Sequence, residues 1–183
     1  MRQELLTSEV TGLPNRRAFE EAGPALAIAM SDMDALKAVN KYGYMTGNAV
    51  LRAKADVLRE AGLEAYHDKG DEFLCRGDVA DDLVARLECC RTMLRSRTII
   101  VARNGGTTLR IRGADFSYGV GHDIEEAETR LREHKAEREA RGEVSRGQLC
   151  GVSIRIEEPH QSHAVMLANP PAVTSVPSLL RKF

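Results

Sequence analysis

The stretch Glu64-Ala65-Tyr66-His67-Asp68-Lys69-Gly70-Asp71-Glu72-Phe73-Leu74-Cys75-Arg76 reads as strand, tight turn and strand. A strand that doubles back at once pairs antiparallel with its neighbour, so the sheet holding it is not built from parallel crossovers alone. Upstream, residues 25–30 (ALAIAM) form a continuous apolar run, as expected of a strand buried on both faces. Ser31-Asp32-Met33-Asp34 follows it, then a short helix around residues 37–41, with Gly43 and Gly47 marking a turn. Residues 48–61 read as a helix with Val50, Ala53, Val57 and Ala61 on one face. Before all of these, Asn15 caps a short helix through Glu20.

Downstream, Asp78 is placed to cap a helix whose apolar positions Val79, Leu83, Leu87, Cys90 and Leu94 recur every three or four residues. Asn104-Gly105-Gly106 joins two strands, residues 97–102 and 107–112, as a hairpin. A strand over 115–120, a charged helix from Ile124 to about Arg141 and a last strand over 149–156 complete the order. Paired strands mixed with helices give an α+β fold with a substantially antiparallel sheet. From residue 158 onward Pro159, Pro170, Pro171 and Pro177 interrupt any regular element, so 1–157 is the domain and 158–183 a proline-containing tail.

Composition bounds the function. The 183 residues carry 26 Lys+Arg against 27 Asp+Glu, a formal net charge of −1, which argues against a non-specific polyanion binder and a membrane-surface protein. Aromatics are 4 % with no Trp, too few for a stacking platform on single-stranded nucleic acid. No apolar run is long enough to span a bilayer, and the N-terminus lacks the apolar core of a secretory signal. A cytoplasmic protein with reduced thiols is expected, because Cys75, Cys89, Cys90 and Cys150 form no metal-ligand spacing. Gly119-Val120-Gly121-His122-Asp123 lacks the third glycine of a dinucleotide-binding turn.

Two acidic features carry chemistry. Asp32-Met33-Asp34 ends a buried strand, and Gly70-Asp71-Glu72-Phe73 occupies a hairpin turn. Carboxylates at a strand end and at an adjacent hairpin tip can converge, and a hard cation such as Mg²⁺ or Mn²⁺ takes such oxygens with phosphates completing its shell. The wider context is specific: Thr11-Gly12-Leu13-Pro14-Asn15-Arg16-Arg17, then Asp32 to Asn40, Gly43 and Gly47, then Lys69-Gly70-Asp71-Glu72-Phe73, then Ser117-Tyr118-Gly119-Val120-Gly121. In this order and near this spacing the chain resembles the GGDEF family, the diguanylate cyclase domain, over roughly residues 5–156.

The resemblance implies a palm-like, ferredoxin-like nucleotide cyclase fold with a central, mainly antiparallel five-stranded sheet flanked by helices. It implies a homodimer in which each domain holds one GTP with Mg²⁺, the two being joined into cyclic di-GMP with release of pyrophosphate. By position, Asp32 and Asp71 are similar to the metal ligands, assisted by the Met33 carbonyl, and Glu72 to a second carboxylate near the metals. Lys37 is similar to the lysine that neutralises the triphosphate, and Asn40 to the residue that reads the guanine edge. Asn48, Lys69 and Gly70 stand at positions that border the nucleotide.

Departures from the pattern open a second reading. Lys69 replaces the first glycine of the turn, where a side chain crowds the nucleotide or offers charge to a phosphate. Asn48 replaces an aspartate that accepts from guanine, and an amide has one acceptor oxygen, so guanine selection weakens by ~1–3 kcal/mol. Tyr44 and Met45 replace a His-Asp pair. The basic pair of the last helix has no clean match; Lys135, Arg141 and Arg146 are the substitutes, and a solvated charged face is the bland reading of that helix. The RxxD motif of product inhibition is absent. His67 reads as structural. No sensor module is expected ahead of the domain. The alternative is therefore a catalytically degenerate domain that binds a nucleotide or a protein partner.

Overall fold

A computed structural model describes residues 6–103, 105–144 and 154–158. The element order is α1 (Arg16–Glu21), β1 (Ala27–Met33), α2 (Leu36–Val39), a 3₁₀ turn (Asn40–Tyr42), α3 (Tyr44–Glu60), β2 (Glu64–His67), β3 (Glu72–Gly77), α4 (Ala80–Ser96), β4 (Ile99–Ala102), β5 (Thr108–Arg112), β6 (Phe116–Gly121), α5 (Ile124–Ala140) and β7 (Arg155–Glu157). The strands of the central sheet run in the order β2-β3-β1-β6, every neighbouring pair antiparallel.

Strand β1 is buried on both faces, as its apolar run requires. Ala27, Ala29 and Met33 enter the main core with residues of α3 and α4. Ile28 and Met30 enter a second cluster with Phe19 of α1 and Ala127 and Leu131 of α5. Helix α5 lies directly on the β6 backbone: a Cβ on Gly119 would stand 2.3 Å from the Ala127 carbonyl oxygen, and one on Gly121 2.8 Å from the Ala127 nitrogen. These glycines serve helix packing rather than a dinucleotide.

The expected five-stranded central sheet is corrected to four strands among the described residues. Strands β4 and β5 form the expected hairpin but pair with β7 in a separate three-stranded sheet. Their alternation explains it: Ile99, Val101, Leu109 and Ile111 are buried, while Ile100 is 62 % exposed. A hairpin with one wet face belongs at the margin. Two local expectations also change. Val79, not Asp78, precedes α4, and it makes no side-chain cap bond. The last strand starts at Arg155; residues 149–153 and 159–183 lie outside the described residues. Asn15 does cap α1, accepting from the Ala18 amide at 3.2 Å.

Helix α3 carries an unforeseen residue in its buried stripe. Lys54 is fully buried, and its ammonium has no hydrogen-bond partner. It lies 4.2 Å from the Phe73 ring centre and 4.7 Å from that of Phe116. Burial pushes its pKa down to about 8, against the pull of Asp32 and other anionic groups. The unfolded chain, at the ordinary lysine value of 10.5, holds this proton more firmly, so the group opposes folding at neutral pH and ceases to do so as pH rises from about 8 to 10.5. Lys54→Met is expected to be more stable than the parent at pH 7, by up to about 3 kcal/mol less the lost ring contacts. The gap should narrow across that pH window in paired denaturant titrations; a gap independent of pH contradicts this account.

Candidate active site at the end of strand β1

The β2–β3 turn is built by its own backbone. Asp68 N–H donates to the Glu72 carbonyl at 3.0 Å and Glu72 N–H to the Lys69 carbonyl at 2.8 Å. Gly70 sits at φ +55°, the left-handed region, so the second residue of Lys69-Gly70 is the one that needs glycine. Lys69 is not among the positive-φ residues; its side chain is 76 % exposed and its ammonium lies 3.6 Å from Glu72 Oε2. Its charge therefore lies on the outer side of Glu72. His67 fixes the turn to the lead-in segment: its Nδ1 pairs with the Ser8 hydroxyl at 2.7 Å and its Nε2 with the Gly70 carbonyl at 3.1 Å. Burial lowers its pKa, in keeping with a neutral, structural histidine.

This turn delivers Asp71 to the end of β1, where Met33 N–H donates to the Asp71 carbonyl at 3.3 Å. Asp32 stands opposite Glu72 in the strand register. Asp32, Met33, Asp71 and Lys37 line one cleft of about 360 Å³, together with Lys135 and Glu139 of α5. The Lys135 ammonium sits 2.7 Å from Asp32 Oδ1. Burial pushes the Asp32 carboxyl above its ordinary value, Lys135 draws it back, and the negative charge of Asp71 pushes it up again. Glu72 is also raised by burial, against Lys69, and its Oε2 is buried with no hydrogen-bond partner. Carboxylates whose pKa is raised by burial in this way lower stability at neutral pH.

Asp34 also borders this cleft, but its oxygens are engaged elsewhere. It is buried, accepts from the Ser117 hydroxyl at 2.9 Å and pairs with Arg138 at 2.5 Å. Arg138, 1 % exposed, also bonds Asp115 and the Phe116 carbonyl. Asp115 in turn is gripped by Arg91 and Arg95 from α4. Thus α5 is not merely a solvated charged face: Arg138 locks its end to β1 and β6. Between Asp34 and α2, Ala35 is the one described non-glycine residue at positive φ, +56°.

On the expected base side, Asn40 lies against α3: a Cβ on Gly47 would stand 1.9 Å from its Oδ1. Gly47 is what lets that amide in. Asn48 is half-buried on the same first turns of α3, and neither asparagine lines the acidic cleft. Tyr44 and Met45 nearby are 81 % and 63 % exposed.

The donor set suits a hard cation in part. Among the described residues no three His, Cys, Asp or Glu side chains gather at one point. Asp32 and Asp71 with the Met33 carbonyl match an ion that takes one or two carboxylates and completes its shell with substrate phosphates. The Lys135 ammonium occupies one face of Asp32, so an ion on that oxygen would have to displace it.

No model of a known protein family and no curated protein matches the chain. Solved structures do. The diguanylate cyclase SiaD from Pseudomonas aeruginosa, in complex with its activator SiaC, aligns over 74 % of this chain at 24 % identity and TM-score 0.61; the chain spans 60 % of that protein's length. The GGDEF domain of DgcB from Caulobacter crescentus, in complex with c-di-GMP, aligns over 76 % of this chain and 91 % of its own at 24 % identity and TM-score 0.57. The GGDEF domain of FimX from Pseudomonas aeruginosa covers 76 % and 96 %, at 18 % identity and TM-score 0.58. The chain has the GGDEF-domain fold.

Within this GGDEF fold, the cleft gathers Asp32, Met33, Asp71 and Lys37 and leaves Glu72 beside it. Lys135 is the helical basic residue that reaches it; Arg141 pairs instead with Glu143 at 2.6 Å, and Arg146 lies outside the described residues. Cys75, Cys89 and Cys90 are free thiols, as expected. No helix among the described residues is long and apolar enough to cross a membrane.

Proposed function

We propose that this chain is a divergent GGDEF nucleotidyltransferase of diguanylate cyclase type, joining two GTP molecules into cyclic di-GMP with release of pyrophosphate. The observation that carries the reading is the single cleft in which Asp32 and Asp71 meet Lys37 and Lys135. Asp32, Asp71 and the Met33 carbonyl would hold Mg²⁺ or Mn²⁺. Such an ion lowers the pKa of a hydroxyl nucleophile and offsets charge on the leaving group. Lys37, exposed at the mouth, and Lys135, drawn off Asp32, would bind phosphate oxygens and orient the α-phosphate. Glu72, whose Oε2 makes no hydrogen bond and has the Lys69 ammonium at 3.6 Å, would accept a proton at the same edge. Asn40, from the 3₁₀ turn, and Asn48, on the first turns of α3, would read the base with weaker guanine preference. Two such domains would face each other as a homodimer, since each active site holds one of the two nucleotides. Free thiols suit a reduced, cytoplasmic setting.

A second reading has its own support. Lys135 already neutralises Asp32, and Asn48 is a poorer guanine acceptor, so a domain that binds a nucleotide and signals without turnover is the alternative. The test is incubation of the purified chain with each nucleoside triphosphate and Mg²⁺ or Mn²⁺, with products identified by chromatography and mass spectrometry. Cyclic di-GMP from GTP is the expected result. A bound nucleotide with no product from any triphosphate overturns the enzyme and leaves the binding domain.

A further inference from the structure

Lys54 is the one described lysine that is fully buried, and nothing in the reading above uses it. Its place is specific. Phe73 stands opposite Ser31 and Phe116 opposite Met33 in the register, so the two rings flank the part of β1 that carries Asp32 between them. The ammonium rests on those rings, 4.2 and 4.7 Å from their centres, on the sheet face opposite Asp32. Packing needs only an apolar chain here. Moreover, no hydrogen-bond acceptor absorbs the charge. An unscreened charge in a low-dielectric interior acts on groups that a surface lysine at the same range would not reach. The carboxylates that act on it are, in order, Asp32, Asp34 and Asp71; of these Asp34 already has Arg138.

We propose that Lys54 is a built-in counter-charge of the acidic cleft, which sets that cleft to take a divalent cation only together with the phosphates of a nucleotide. Three acids of the cleft lining, Asp32, Asp71 and Glu139, are then balanced by three ammonium groups, Lys37 and Lys135 in the lining and Lys54 on the other sheet face. A divalent ion arriving alone leaves the cleft with an excess of positive charge. An ion arriving with a polyphosphate does not. The proposal rests on the nucleotide-and-metal reading of the cleft, and the experiment separates the two.

Mn²⁺ binding to the full chain and to Lys54→Met is measured by electron paramagnetic resonance, alone and with a non-hydrolysable GTP analogue. Thermal melts confirm that both are folded. Without nucleotide, Lys54→Met should bind Mn²⁺ roughly tenfold more tightly than the parent, and the difference should shrink when the analogue is bound. Equal or weaker Mn²⁺ affinity in a folded Lys54→Met overturns the counter-charge, even if the analogue still promotes Mn²⁺ binding. A tenfold gain in a protein that never binds the analogue keeps the counter-charge and removes the nucleotidyltransferase reading. No Mn²⁺ binding in any condition overturns both.

Discussion

Cyclic di-GMP formation is expected to fall at least ~10³-fold, about 4 kcal/mol at the transition state, when Asp71 is replaced by alanine. The loss follows from where the turn puts this side chain. Asp71 lines the cleft with Asp32, and those two are the carboxylates from opposite sides of the β1–β3 pair that a cation could share. The backbone that carries Asp71 has its own anchors, the Met33 amide on its carbonyl and the Asp68 and Glu72 amides across the turn. Stability should therefore stay within about 0.5 kcal/mol of the parent, as for a half-exposed residue with no structural bond. Turnover that survives in a folded Asp71→Ala protein contradicts the placement of the metal. A loss of turnover accompanied by unfolding would instead assign Asp71 to the turn.

The largest stability effect is expected at Asp115. Its carboxylate is 3 % exposed and accepts from three arginines: Arg91 at 3.0 Å on each oxygen, Arg95 at 2.9 Å and Arg138 at 2.5 Å. Burial alone would raise its pKa, but the hydrogen bonds from Arg91 and Arg95 and the charges of Arg138 and Arg91 outweigh it and hold the carboxyl below its ordinary value. Removing it leaves buried guanidinium groups with too little counter-charge. Asp115→Ala should lose about 3–5 kcal/mol, read from denaturant midpoints at pH 7. A carboxyl with a depressed folded value stabilises above its unfolded pKa of about 4 and loses that effect as pH falls through the folded value. Parent and Asp115→Ala should therefore converge in acid. A loss under 1 kcal/mol at pH 7 would show that Asp34 alone suffices for Arg138.

The sequence shows the hairpin of residues 64–76 and the doubly buried β1 plainly, because both are local patterns. Turn chemistry marks one and a continuous apolar run the other. Asp32, Met33, Lys37 and Asp71 come together for the same reason: strand end and hairpin tip are neighbours once β1 and β3 pair. The sheet to which β4 and β5 belong was not legible, since it depends on pairing β5 with residues 155–157, more than forty positions away. Arg138 and Lys54 escaped notice because charge hid their registers. Arg138 lies seven residues past Leu131 and eleven past Ala127, on the buried stripe of α5. Lys54 lies four past Val50 and three before Val57, on that of α3. In both cases the period predicted burial and the residue type argued against it. The resolution lies in partners distant in sequence: Asp34 and Asp115 for the arginine, two phenyl rings for the lysine.

The central claim is that the Asp32–Asp71 cleft accepts a divalent cation and a nucleotide's phosphates as a pair. Calorimetric titration of GTP into the full chain, with and without Mg²⁺, tests it most directly. Mg²⁺ should tighten GTP binding by at least about tenfold, near 1.4 kcal/mol. The same GTP affinity with and without Mg²⁺, or no GTP binding in either condition, would contradict it.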